Sequence, residues 1–171
     1  MPAALADRDT LLKLHLLPGR DADSAATVIQ SLRPHETFET QWVPCFRFDR
    51  LRESLAVDQI ALVKIDVEGA ELKVLNGMTQ TIEAASPFIL CEVLNADAYV
   101  DENAYRARTV ALRDLVHAMR YTIWHIYKAS NGTVSRLAPI EMFPFKRWAL
   151  KTSEECDYLF VLVNLGFSLA R

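Results

Sequence analysis

Glycine is missing where a nucleotide ligand would need it. The five glycines, Gly19, Gly69, Gly77, Gly132 and Gly166, stand far apart, and no two form a G-x-G turn. Such a turn after a first strand lets backbone approach a dinucleotide or adenosyl group. Residue pattern alone therefore stops at an α/β domain without a visible cofactor loop. Cysteine is equally sparse. Cys45, Cys91 and Cys156 are odd in number and form no C-x-x-C, which argues against a disulfide framework or a zinc site and fits a reducing compartment. No metal site is expected. Charge of one sign is lacking as well: 19 basic and 22 acidic residues are mixed along the chain and leave a net charge of −3. A nucleic-acid binder usually carries a basic face or stripe, and Lys146-Arg147 is too short to be one. Long hydrophobic runs are absent; the apolar stretches are strand-sized, about a third of a membrane-spanning helix. The opening MPAALADRDT has no basic region followed by an apolar one, so a cytoplasmic protein without membrane contact is expected.

What is present suits one domain of 171 residues, 51% hydrophobic and 24% charged. The first half-dozen residues read as weakly structured. Leu11 to Leu17 reads as a strand stopped by Pro18-Gly19. A loop or short helix is expected around Ala25 to Leu32, a strand over Phe38 to Val43, and a short helix within Phe46 to Leu55. Ile60 to Val67 (IALVKIDV) predicts a strand buried on both faces. A helix follows Gly69, with Leu72, Leu75, Met78 and Ile82 at helical spacing; Gly77 weakens or breaks it, and Pro87 ends it. Phe88 to Leu94 is a second buried strand. Asn103 to Arg120 is a helix with a stripe at Leu112, Leu115, Val116 and Met119. Tyr121 to Tyr127 alternates as a strand, Asn131-Gly132 marks a hairpin turn, and Thr133 to Leu137 returns. Residues 138 to 153 read as loop with exposed aromatics, and Tyr158 to Val163 as a last strand. This order predicts a mostly parallel sheet covered by helices, with an antiparallel edge.

Ligands of open α/β sheets sit outside the carboxyl ends of the strands. Asp66 and Glu68 follow the first buried strand, and Glu92 lies near the end of the second. If those strands are neighbours, three carboxylates meet there. They could take a proton from a hydroxyl or hold a hard cation such as magnesium. Position alone favours a plainer role for Asp66 or Glu68, capping the helix that begins near Gly69, with Glu71 in its first turn. Glu92 is harder to explain away, because an acid in an apolar strand is costly without a partner; a structural partner and a functional role suit it equally. His15, His35, His117 and His125 show no metal-ligand spacing and read as core or surface residues. Trp124, Phe143, Phe145 and Trp148 read as packing before pocket lining.

The run LVKIDVEGAELKVLNGMTQTIEAASPFILCEV, Leu62 to Val93, resembles the signature of FkbM-type methyltransferases. Its elements stand in order: Lys64, Ile65, Asp66, Val67, Glu68, Gly69, Ala70, Glu71, Leu75, Gly77, Pro87 and Glu92. Phe48-Asp49-Arg50-Leu51 resembles the stretch that precedes the signature, so the resemblance is strongest over 48–93. It implies a Rossmann-like class I methyltransferase sheet, S-adenosylmethionine as methyl donor, and a hydroxyl oxygen of a small natural product or sugar as acceptor. It places Asp66, Glu68 and Glu92 at the reaction crevice, with Asp66 as the acceptor-side base, Glu68 orienting or capping, and Glu92 shaping the acceptor pocket.

The glycine-rich turn and the ribose-binding acid of that family should precede this region. The chain is thus expected to be a single partial domain over 1–171, truncated on the cofactor-binding side, with cofactor-binding residues unassigned. A sheet cut beside a central strand exposes an edge that invites self-association. A non-catalytic remnant or interaction module is the main alternative, and an unrelated α/β enzyme with Asp66 and Glu92 around a metal is the third.

Overall fold

The computed structural model describes residues 3–18, 26–29, 39–96, 100–147 and 156–163. The expectations for Ala25, for 30–38 including His35, and for Trp148 lie outside them. Three short elements open the chain: β1 (Ala4–Leu5), β2 (Thr10–Leu16) and β3 (Glu39–Phe46) form a sheet in the order β1-β3-β2. The start of the chain is therefore not weakly structured throughout. Ala4 and Leu5 pair in parallel with Cys45 and Phe46, where Cys45 and the following Ala6 are buried. Helix α1 (Phe48–Leu55) leads to the larger sheet.

That sheet contains β4 (Leu62–Ile65), β5 (Phe88–Glu92), β6 (Tyr121–Lys128), β7 (Val134–Ile140) and β8 (Asp157–Leu162), in the order β4-β5-β8-β6-β7. Only β4 and β5 pair in parallel; β8 inserts antiparallel between β5 and β6, and β7 closes an antiparallel edge. The expected mostly parallel sheet is thus mostly antiparallel, in three of its four pairings. The reason is that β8 returns with its Tyr158 and Phe160 matched to the buried face shared by Ile89, Cys91 and Ile123. Strand β7 also runs on to Ile140 through Pro139, into residues expected as loop. Proline is tolerated there because β7 is an edge strand.

Helices α2 (Glu71–Asn76), α3 (Thr79–Ala85) and α4 (Glu102–Ala118) supply Val74, Leu75, Ile82, Leu112 and Val116 to a core built on Ile65, Ile89, Cys91, Tyr158 and Phe160. The helical spacing of Leu75, Met78, Ile82, Leu112 and Val116 was a faithful guide to this face. One helix was expected between β4 and β5, with Gly77 as its weak point; the break falls there, and two helices result. A Cβ at Gly77 would lie 2.0 Å from the Ala6 carbonyl oxygen, so the first strand reaches the helix break only because no side chain intervenes. Strand β4 is not buried on both faces. Ile65 is buried, but Leu62 is 58% exposed, because β4 is the last strand of its sheet among the described residues. Phe143, in a stretch expected as loop with exposed aromatics but itself read as packing, is buried edge-on against Tyr158. No helix among the described residues is long and apolar enough to cross a membrane.

Candidate active site

Parallel pairing sets Ile65 beside Cys91, so the next residue of each strand brings Asp66 beside Glu92. Both side chains leave the face opposite to the buried Ile65 and Cys91, as strand alternation requires. Their carboxyls lie close enough that each shifts the proton affinity of the other. Lys64, two residues before Asp66 and hence on the same face, donates to Asp66 Oδ2 at 2.7 Å. That ammonium holds the Asp66 carboxyl below its usual range, against partial desolvation. Glu92 goes the other way. Burial first, then the negative Asp66 and Asp157, push its carboxyl up to about 7. The two groups form one coupled unit in which a proton held by Glu92 is shared with an ionised Asp66.

Asp157 extends the row. It sits opposite Glu92 in the antiparallel ladder with β8, and Lys128 at the end of β6 pairs with it. Sequence reasoning missed Asp157 and Lys128, because their approach depends on where β8 inserts; no local pattern signals that. Lys64 was read as part of a motif, without a role. Its spacing from Asp66 on one strand face was the available signal.

Glu68 lies in a tight turn. The Ala70 amide donates to the Val67 carbonyl at 3.3 Å, and the two central residues, Glu68 and Gly69, have φ of 49° and 95°. Thr27 donates its hydroxyl to the Glu68 carbonyl at 2.7 Å. Neither Asp66 nor Glu68 caps the helix that follows: the residue before α2 is Ala70, and no side-chain cap bond forms there. The capping expectation is overturned: the turn at Glu68-Gly69 stands between Asp66 and α2, and Ala70 occupies the cap position. The inward acid is Glu71, only 1% exposed, which accepts from the Gly69 amide at 2.8 Å and meets Arg108 at 3.3 Å. Burial pushes its carboxyl up, against the pull of Arg108.

The described histidines fall in the core or on the surface. His125 is stacked on Tyr158 and tilted against Tyr127 in the core. His15 is buried, with its backbone bridged to Thr27, and His117 lies exposed in the last turn of α4. Among the described residues no His, Cys, Asp and Glu side chains group so as to hold a metal ion.

Fold and site together define an α/β domain with a coupled carboxyl pair at the C-terminal ends of adjacent parallel strands. The model of the FkbM methyltransferase domain matches residues 1–124, and the chain belongs to that family. No curated protein and no solved structure matches the chain.

Proposed function

We propose that this domain transfers a methyl group from S-adenosylmethionine to a hydroxyl oxygen of a small natural product or sugar. The observation that carries the reading is the pair Asp66–Glu92, set side by side by the parallel register of β4 and β5 and shifting one another's proton affinity, supported by membership of the methyltransferase family. A hydroxyl that accepts a methyl group must lose its proton. A carboxylate whose conjugate acid titrates near 7 is matched to that task at neutral pH. Glu92 is thus the proton acceptor of the pair. Asp66, kept ionised by Lys64, orients the hydroxyl and polarises its O–H bond. Glu68 borders the same crevice from the turn after β4. Alignment of donor and acceptor supplies much of the rate in such a transfer, so the pair assists a reaction whose main demand is positioning.

S-adenosylmethionine brings an electrophilic methyl group when it is bound. The described residues do not furnish its seat: no two glycines among them form the turn that an adenosyl group needs. The described sheet serves the acceptor side. In this reading it is one half of a Rossmann-like class I sheet, whose donor side adjoins the outer edge of β4.

A second reading, a non-catalytic remnant or interaction module, draws on that same outer edge, which carries no strand among the described residues. Transfer of isotope-labelled methyl from S-adenosylmethionine to a panel of hydroxylated sugars and small natural products separates the two. The enzyme reading expects labelled product, reduced about a hundredfold in Glu92→Gln. A folded native protein that labels nothing would leave the remnant reading standing.

A further inference from the structure

Asp66 and Glu68 follow β4, Glu92 ends β5, and one guanidinium reaches the loops after both strands. Arg108 of α4 meets Glu71 through Nη1 at 3.3 Å and donates from Nη2 to the Leu94 carbonyl at 3.0 Å. Glu71 in turn accepts from the Gly69 amide at 2.8 Å. A continuous chain of polar contacts therefore runs from Gly69 amide to Glu71 carboxylate, Arg108 guanidinium and Leu94 carbonyl. Gly69 directly follows Glu68, and Leu94 lies just beyond Glu92 and Val93.

Stability alone is a poor explanation for this device. Glu71 is 1% and the Arg108 side chain 16% exposed, so both charges are largely withdrawn from water. Apolar residues of similar volume often stabilise as well as a buried ion pair. The Arg108 Nε is buried and has no hydrogen-bond partner among the described residues, a further cost. What apolar packing cannot supply is direction. A planar guanidinium fork holds a carboxylate and a carbonyl at fixed angles, and here these belong to the two loops flanking the site. The left-handed Glu68 is part of what is held, since Glu71 grips the amide just after it.

We propose that Glu71 and Arg108 are positioning residues that lock the turn after β4 to the loop after β5 and so set the spacing of Asp66 and Glu92. The inference rests on the reading of that pair as the working groups. Its test needs neither donor nor acceptor, so either idea can fail alone. The test follows the side-chain carboxyl of Glu92 by carbon-13 NMR in the glutamate-labelled full chain, assigned with Glu92→Gln. The groups facing Glu92 are Asp66 and Lys64 from β4, Glu68 from the turn and Asp157 from β8. All are intact in the two variants compared with the native chain. Arg108→Lys keeps the charge and loses the fork; Glu71→Gln keeps an acceptor for Gly69 and loses its hold on Arg108. In each, the carboxyls should separate and take up water, and the Glu92 midpoint should fall by about one pH unit. An unchanged or raised midpoint in the folded variants would overturn the proposal and leave a structural ion pair. Collapse of the fold in both variants would assign the pair to stability and overturn it equally.

Discussion

Glu92 and Asp66 titrate together, so a change at one alters the proton affinity of the other. The Glu92 carboxyl lies at about 7 in the fold, above its ordinary 4.5. Between those values the native state binds a proton that the unfolded chain has released. The stabilisation from Glu92 is therefore full below its unfolded value and is lost as pH rises through 7. Glu92→Gln keeps the shape of the side chain without the titration, and its melting temperature should vary less than the native value between about pH 5 and 8. Asp66, lowered by Lys64, acts in the opposite sense and only at more acid pH. Asp66→Asn removes the charge that raises Glu92. The rising limb of the pH–rate profile, near 7 in the native protein, should then move down by about one unit. A limb that stays in place would show that Glu92 owes its proton affinity to burial alone. The acids themselves were legible as an ordered motif. Their coupling was not, because it depends on the pairing of Ile65 with Cys91 and on charges from β6 and β8 that lie far away in sequence.

Elements here are held by contacts that their own sequences do not advertise. Helix α3 has no side-chain cap of its own; Asp49 of α1 accepts from the amides of Gln80 at 3.0 Å and Thr81 at 2.8 Å. The acid between Phe48 and Arg50, in the stretch before the signature, thus caps a helix about thirty residues away. Asp49→Ala should cost about 1–2 kcal/mol, read from the denaturant midpoint. Gly77→Ala should cost more, about 3 kcal/mol, because the new methyl meets the Ala6 carbonyl and one of the two chain segments must move. The turn after β4 behaves in reverse. Glu68 occupies a left-handed conformation that glycine adopts without penalty. Glu68→Gly should raise the melting temperature while lowering methyl transfer, and a fall in both would mean that the side chain serves the fold. Helical periodicity located α2, α3 and α4, since burial follows a 3.6-residue repeat on one side. It could not show that β4 is exposed at Leu62 or that β8 enters the middle of the sheet, because exposure and strand order depend on neighbours distant in sequence.

At the scale of the whole molecule, the outer edge of β4 decides how this chain behaves. An edge strand with Leu62 exposed, unpaired on its outer side among the described residues, offers backbone groups to another strand. We expect concentration-dependent self-association in sedimentation, suppressed by Leu62→Lys; a clean monomer for the native chain would count against an available edge. The same edge is where the proposed donor side adjoins the acceptor side, so association and cofactor binding should respond together. The most direct measurement is a calorimetric titration of the folded chain with S-adenosylhomocysteine, the product left after methyl transfer. A working methyltransferase domain predicts saturable micromolar binding at one site per chain. Absence of binding by a demonstrably folded sample would contradict the account and leave a member of the methyltransferase family that does not carry out the transfer.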